Sequence, residues 1–217
     1  MIRAIVFDFD GVLADSEPLH LAATQAVFSD LGVTLTPEYY YDHLVGYDDR
    51  GMFGVMALKE GWDLDQARVD ALIQQKARVF DDLIATRDVI YPGAASAVGR
   101  LAPTFPLGIA SGALKHEIEM ILERARLADR FSFIVASGDT AASKPAPDPY
   151  IEAARRHGLP PGACVAIEDS RWGIVSAKSA GMKCVGITNT YPAAELRAAD
   201  RVISSLEELT EDLIHDL

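Results

Sequence analysis

Two aspartates follow the first apolar run of the chain. Asp8 and Asp10 stand two positions apart, after the run 2–7 and before Gly11. An ionised acid is rarely left unpaired at the end of a buried strand, so two of them call for a cation, a shared proton or a reaction. Residues two apart in a strand point to one face, with Cα atoms roughly 6.6 Å apart. The spacing predicts one catalytic or metal site; the alternative is a solvated turn, because Asp and Gly are common turn residues.

Polar residues also follow the later apolar runs. Ser111 and Gly112 follow the second run, Lys144 comes after the third, and Glu168 and Asp169 follow the fourth. Ligand sites in open α/β sheets lie beyond the carboxyl ends of the strands, so all of these residues are expected on one rim. Taken singly, they have ordinary explanations as a helix N-cap, a solvated lysine and a capping pair of acids. Their joint placement favours a functional site.

The elements that must position these residues are short strands alternating with helices. From about residue 88 onward, apolar runs alternate with helical patterns, which is typical of βαβ units and a parallel sheet. The expected strands are 2–7, 107–110, 133–136, 164–167 and 184–188, with another at 202–203. The expected helices are 93–101, 114–125, 148–157 and 172–180, with a last one running to residue 217. The predicted fold class is α/β with a doubly wound parallel sheet.

A long stretch after the first strand contains no convincing strand. Within residues 16–87, apolar residues recur at helical spacing, and Thr36-Pro37-Glu38 is typical of a helix start. Loops that join strands and helices in α/β folds usually have about 2–6 residues, so a stretch of some 70 residues is far longer than an ordinary connection. We therefore predict a helical cap at 16–87, inserted into a catalytic core of residues 1–15 and 88–217. The alternative is an ordinary long crossover.

Composition bounds the partners and the compartment. The chain has 217 residues, 49% of them hydrophobic, and a net charge of −12. The charge argues against nucleic acid or an anionic membrane as a partner, whereas an anionic small substrate would need Lys or Arg beside the acids. Cys164 and Cys184 begin apolar runs and are expected to be core residues in a reducing compartment. No apolar stretch approaches about 18 residues, so we expect a soluble, cytoplasmic protein. We also expect it to be a monomer.

The polar residues at the strand ends form ordered motifs. In chain order, these are Asp8-Phe9-Asp10-Gly11-Val12-Leu13, Ser111-Gly112, Ser143-Lys144-Pro145-Ala146-Pro147-Asp148, and Glu168-Asp169-Ser170 with Gly173. They resemble the four motifs of the haloacid dehalogenase superfamily, and most closely those of its β-phosphoglucomutase-like phosphatase branch. The resemblance spans the core and implies a Rossmann-like sheet with a helical cap between the first motif and the second.

The resemblance also implies catalytic roles. Asp8 would be the nucleophile, and Asp10 the general acid and base. Ser111 and Lys144 would hold the phosphoryl oxygens, with Gly112 beside the substrate. These roles suit the residue types, since a carboxylate can accept a phosphoryl group, and a lysine and a hydroxyl can hold its oxygens.

A Mg²⁺ site is implied by the same motifs. Asp8, the backbone carbonyl of Asp10, and Asp169 would bind the ion, with Glu168 as a further ligand or as a supporting partner. Lys144 would counter the repulsion among the acids.

Three residues of the predicted cap could contact a substrate. Lys76 interrupts an apolar helix stripe, and Arg50 sits at the expected turn 46–50. His20 lies near the hinge expected after residues 15–18. Their ordinary explanations are a lysine reaching to solvent, a surface arginine and a packed histidine. The branch named above uses cap Arg and Lys residues and a histidine near the hinge, so the resemblance implies substrate binding by all three.

The function implied is a Mg²⁺-dependent phosphatase that acts on a small phosphorylated metabolite through an aspartyl phosphate on Asp8. A β-phosphoglucomutase-like sugar phosphomutase is the first alternative, because the same phosphoenzyme can return its phosphoryl group to a second hydroxyl. A dehalogenase is disfavoured, since that chemistry in this superfamily goes without Asp10 and without metal. An alternative of another class is a phospho-receiver signalling domain, which would lack the cap and would not place its phosphorylated aspartate on the first strand.

Overall fold

A computed structural model describes residues 1–45, 47 and 49–217 of the chain. They form two compact units, one of Met1–Ser16 with Asp88–Leu217 and one of Glu17–Arg87. We call these the α/β unit and the helical unit. Gly46 and Asp48, which belong to the turn predicted before Arg50, lie outside the described residues.

A six-stranded parallel sheet forms the centre of the α/β unit. Its strands are β1 (Ala4–Phe7), β2 (Leu107–Ala110), β3 (Phe131–Val135), β4 (Cys164–Glu168), β5 (Lys183–Ile187) and β6 (Arg201–Ile203). Their order is β3-β2-β1-β4-β5-β6, and every pairing is parallel. This is the Rossmann-like order, so the predicted α/β fold class is confirmed.

Helices connect the strands and fill the insertion. The helices of the described residues are α1 (Glu17–Asp30), α2 (Pro37–His43), α3 (Asp49–Glu60), α4 (Gln66–Ile84), α5 (Ala94–Leu101), α6 (Lys115–Arg124), α7 (Asp148–His157), α8 (Arg171–Ser179) and α9 (Glu211–His215). In the α/β unit, α7 packs on β1, β2 and β3, and α8 packs on β4 and β5. Among the described residues, no helix combines the length and the apolar composition needed to cross a membrane.

The central strands are buried at every residue, which explains their apolar runs. All residues of β1, β2 and β4 are buried, and both cysteines are buried free thiols, as predicted. The edge strand differs from the prediction, because β3 begins at Phe131, two residues early, where Phe131 pairs with Leu107. The first strand begins at Ala4 instead of residue 2, where its pairing with Cys164 starts.

The helical unit has its own apolar core. Phe28, Phe53, Met56 and Leu72 are buried there against one another. The predicted helix start is confirmed, since the Thr36 hydroxyl accepts the amide of the third helical residue at 3.2 Å and caps α2. The described residues of this unit contain no strand.

Candidate active site

The candidate site lies where the strand order reverses, at the carboxyl ends of β1 and β4. The two strands pair in register, with Phe7 opposite Ile167. Asp8, the residue after β1, donates its amide to the Ile167 carbonyl at 2.9 Å. Asp8 therefore stands beside Glu168, the last residue of β4, because the ladder continues by one residue past Phe7. Such a switch point is where open α/β sheets bind ligands.

Lys144 bridges these two acids. Its Nζ lies 2.9 Å from Oδ1 of Asp8 and 2.6 Å from Oε1 of Glu168. Burial alone would lower the pKa of Lys144, but the charges of Asp8 and Glu168 outweigh it and raise that pKa above its ordinary value. The lysine is therefore a cation at neutral pH, held against the two carboxylates.

Glu168 is enclosed by hydrogen-bond donors and is 0% exposed. Its Oε1 also accepts the Tyr150 hydroxyl at 2.7 Å, and its Oε2 accepts the Ser170 hydroxyl at 3.1 Å. A Cβ on Gly173 would lie 1.8 Å from Oε1, so the glycine of this motif makes room for the carboxylate. Sequence reasoning missed Tyr150, because a tyrosine in a helix stripe is ordinarily a core residue and one sequence carries no signal against that.

Asp169 is held against the loop that carries the first acids. A Cβ on Gly11, whose φ is +77°, would lie 1.9 Å from Oδ2 of Asp169, so only glycine fits there. Two residues after β5 support this contact: Asn189 donates to the Gly11 carbonyl at 2.8 Å, and the Thr190 hydroxyl bonds to Asp169. Sequence reasoning missed both, since Asn and Thr are ordinary loop residues.

Asp10 is held by two serines. The hydroxyls of Ser16 and Ser111 bond to its carboxylate. Burial raises the pKa of Asp10 above its ordinary value, although both hydroxyl bonds lower it. A carboxyl that keeps a proton more readily than usual suits proton transfer. Gly112, which was predicted at the site, follows Ser111 at an exposed position. Sequence reasoning missed Ser16, whose only signal was its place after the first motif.

The acids outnumber the positive charge beside them. Asp8, Glu168 and Asp169 each place a carboxylate oxygen within 4.8 Å of the others. Burial raises the pKa of Asp8 well above its ordinary value and the pKa of Asp169 to about 7. The charge of Glu168 is the second cause in both cases. Lys144 therefore does not balance them. A hard divalent cation with oxygen ligands fits this donor set. Asp8 and Asp169 could hold such a cation, and Glu168, the third acid of the cluster, also holds Lys144.

Two of the predicted substrate-binding residues lie together in the helical unit. The Lys76 side chain is 8% exposed and forms an ion pair with Asp49, and its Nζ lies 3.5 Å from Nδ1 of His20. Lys76 therefore does not reach to solvent. The His20 ring stacks on Phe80 at 4.0 Å, and burial, followed by the charge of Lys76, lowers the pKa of His20 to about 3. His20 is thus neutral at physiological pH.

Arg50 is placed separately from that pair. It lies in the first turn of α3, where the sequence suggested a turn, because Asp49 begins the helix there. Its guanidinium bonds to Asp70 at 2.5 Å, with both side chains about half exposed. An exposed ion pair of this kind contributes little to stability, about 0–1 kcal/mol.

A cluster of acids and one lysine, buried at the switch point of a Rossmann-like sheet, is the arrangement of a catalytic site. Residues 5–187 match the family model of the haloacid dehalogenase-like hydrolases, and the chain belongs to that family. The family match confirms the resemblance predicted from the motifs, and it excludes the alternative of a phospho-receiver signalling domain.

Similar proteins span nearly the whole chain. Hexitol phosphatase B of Escherichia coli is 31% identical over 221 residues, which cover 98% of this chain and 97% of that protein. Beta-phosphoglucomutase of Bacillus subtilis is 29% identical over 224 residues, covering 99% and 95%. The crystal structure of a CbbY variant from Rhodobacter sphaeroides in complex with xylulose 1,5-bisphosphate is 28% identical, with a TM-score of 0.85 and 96% of each chain covered.

Proposed function

We propose that this enzyme is a Mg²⁺-dependent phosphatase that hydrolyses a small phosphomonoester, such as a sugar phosphate, through an aspartyl phosphate on Asp8. The observation that carries the proposal is the Lys144 ammonium, 2.9 Å from Asp8 and 2.6 Å from Glu168, two acids that cluster with Asp169. Phosphoester hydrolysis is supported by the family and by the similarity to hexitol phosphatase B. The similar CbbY variant, whose structure holds a sugar bisphosphate, supports the substrate class.

The reaction has two steps. A carboxylate oxygen of Asp8 attacks phosphorus in line, the bond from phosphorus to the ester oxygen breaks, and the Asp10 carboxyl gives its proton to the departing alkoxide. Asp10 then takes a proton from a water molecule that attacks the acyl phosphate, which releases orthophosphate and restores the Asp8 carboxylate. The raised pKa of Asp10 supports the acid role in the first step.

The surrounding residues would hold the phosphoryl group. Lys144 and the Ser111 hydroxyl bind its oxygens, and Glu168 keeps Lys144 in place. Asp8, Asp169 and the backbone carbonyl of Asp10 would bind Mg²⁺, which when bound neutralises charge on the transferring group. Gly112 is exposed, and a Cβ added to it would meet no other atom within 4 Å, so it leaves room for the substrate beside Ser111.

The proposal is tested by a screen of phosphorylated metabolites with Mg²⁺ that scores orthophosphate and isomerised product together. We expect orthophosphate from at least one sugar phosphate or similar ester. A complete screen in which no ester is hydrolysed or isomerised would remove the phosphoryl-transfer assignment.

We assign substrate selection to residues 16–87, acting as a cap, with Lys76, Arg50 and His20 as binding residues. The buried ammonium of Lys76, next to a neutral His20, supports this assignment, because an apolar stripe would otherwise carry an aliphatic side chain there. Arg50, which is paired with Asp70, differs from Lys76 in that its guanidinium is about half exposed, as surface arginines ordinarily are.

Replacing Lys76 by methionine, which keeps the length of the side chain, should raise KM for the natural substrate by about tenfold to a hundredfold. The reason is that one charge-assisted hydrogen bond to the substrate is lost. Arg50→Ala should raise KM in the same direction. Hydrolysis of p-nitrophenyl phosphate, which is too small to need either residue, should stay within about twofold. The measurement is steady-state kinetics with both esters.

The matched control for these variants is Arg78→Ala. Arg78 lies on the same helix, α4, and donates to the Gln74 carbonyl at an exposed position. It should leave KM for both esters unchanged. If Lys76→Met impairs the hydrolysis of both esters equally, Lys76 stabilises the fold of the helical unit and does not bind the substrate.

A sugar phosphomutase is the second candidate, and the similarity to beta-phosphoglucomutase favours it. The two reactions share Asp8, Asp10 and Lys144 and differ in what attacks the phosphoenzyme, water or a second hydroxyl. We expect hydrolysis. Hexose 1-phosphate with Mg²⁺ and a trace of hexose 1,6-bisphosphate should yield little hexose 6-phosphate, as followed by a coupled dehydrogenase assay. Rapid isomerisation with negligible orthophosphate would establish the mutase and leave the core residues in their roles.

A further inference from the structure

A fully buried tyrosine contacts both partners of the central ion pair. Tyr150, on α7, is 0% exposed and donates its hydroxyl to Oε1 of Glu168 at 2.7 Å. The same oxygen accepts Lys144 Nζ at 2.6 Å. The Lys144 ammonium also lies 5.1 Å from the centre of the Tyr150 ring, within the range of a cation–π interaction. The tyrosine thus meets Glu168 with its hydroxyl and Lys144 with its ring.

The other side of Glu168 is equally occupied. Its Oε2 accepts the hydroxyl and the amide of Ser170 at 3.1 and 3.4 Å. The absence of a Cβ at Gly173 leaves the carboxylate the space it fills. A buried carboxylate surrounded in this way is held in one position, because moving it would leave several donors without acceptors.

We propose that Tyr150 is a positioning residue for Lys144 and acts through Glu168. The inference rests on the proposed function, in which Lys144 holds phosphoryl oxygens at Asp8. A lysine side chain is flexible, and its ammonium is a point charge without a preferred direction. The tyrosine and the glutamate fix that charge 2.9 Å from Asp8 before a substrate binds. Fixing a charge in advance is what lowers the barrier of a step that develops negative charge.

The test is Tyr150→Phe, which keeps the ring and removes only the hydroxyl. Orthovanadate, a mimic of the transferring phosphoryl group, is titrated by calorimetry onto the protein in saturating Mg²⁺, and Mg²⁺ alone is titrated onto the metal-free protein. We expect Kd for orthovanadate to rise about tenfold and kcat/KM for p-nitrophenyl phosphate to fall by a similar factor. Kd for Mg²⁺ should stay within about twofold of the wild-type value, because the lysine side of the site is altered and the metal side is not.

Tyr40→Phe is the matched control. Tyr40 is also buried and donates its hydroxyl to a glutamate, Glu17, at 2.5 Å, within the helical unit. Both variants lose one tyrosine–glutamate hydrogen bond, which is buried for Tyr150 and partly buried for Tyr40, so both should lower Tm. Only Tyr150→Phe should change Kd for orthovanadate, which a merely structural role would not move.

A second variant, Glu168→Gln, removes the charge that holds Lys144. It should weaken orthovanadate binding more than Tyr150→Phe does. An orthovanadate Kd unchanged in Tyr150→Phe, or a Mg²⁺ Kd that rises as much as the orthovanadate Kd in that variant, would overturn the inference. A wild-type protein that neither binds orthovanadate nor releases orthophosphate would instead refute the proposed function, and the inference with it.

Discussion

Asp8→Asn should lower kcat by about a thousandfold or more, because an amide cannot attack phosphorus to form the acyl phosphate. The fold should survive the change. The amide oxygen can still accept the Phe9 amide, which bonds to Oδ1 of Asp8 at 2.8 Å, and Lys144 keeps its 2.6 Å contact with Glu168. The measurement is orthophosphate release by purified wild-type and variant proteins at saturating substrate and Mg²⁺.

The stability of Asp8→Asn should equal or exceed that of the wild type in the absence of metal. Burial and the charge of Glu168 raise the pKa of Asp8, so the folded state disfavours the ionised form above the ordinary pKa of the carboxyl. A neutral amide removes that penalty at neutral pH. Thermal unfolding in EDTA measures this, and a clear fall in Tm would show that the Lys144 contact outweighs the repulsion among the acids.

The control for the nucleophile is Asp139→Asn, the same chemical change in the same unit. Asp139 pairs with Arg156 at 3.1 Å on a partly exposed surface. This variant should keep kcat within about twofold of wild type. Retention of more than about a tenth of the wild-type kcat by a clean Asp8→Asn preparation would remove Asp8 from the nucleophilic role.

Removal of the metal should have the second large effect. Thorough chelation with EDTA should lower activity by about a hundredfold or more, and Mg²⁺ should restore it, because Lys144 alone does not balance the charge of the three acids. Wild-type Tm should rise with added Mg²⁺, since an ion that binds only the folded state stabilises it. Activity and thermal unfolding are measured on the same chelated sample before and after Mg²⁺ is added.

Asp169→Asn identifies the ligand in that experiment. It should raise Kd for Mg²⁺, measured by calorimetry without substrate, by about tenfold or more, since a neutral amide is a weaker ligand for a hard cation. Asp139→Asn again serves as the control and should bind Mg²⁺ as the wild type does. Full activity after exhaustive chelation would contradict the metal dependence and leave Lys144 as the main source of positive charge.

The residue types and their order along the chain were enough to predict the α/β fold and the composition of the site. Buried parallel strands require continuous apolar runs, so β1, β2 and β4 could be recognised locally. Parallel strands end at one edge of the sheet, so polar residues after those runs had to share a rim. Strand ends were less predictable, as β3 shows, because pairing with a neighbour decides where an edge strand begins.

In the helical unit, too, the helices were predictable from the sequence and their contacts were not. The spacing of the apolar residues and the Thr36 N-cap predicted the helices, because each of these signals involves residues only a few positions apart in the chain. The partner of Lys76 was not predictable. The sequence offered an ammonium in an apolar stripe, and only the packing of α3 against α4 brought Asp49 to it.

Local sequence was therefore enough to predict which chemical groups the site contains and at which edge of the sheet they lie. Their partners depend on the folded arrangement. The strand order places Asp8 beside Glu168, and hydrogen bonds join Tyr150 of α7 to the same glutamate and Asn189, after β5, to Gly11. The physical reason is range. Strand and helix formation depend on neighbours a few residues apart, whereas these hydrogen bonds join residues distant in sequence, and burial makes each of them strong enough to matter.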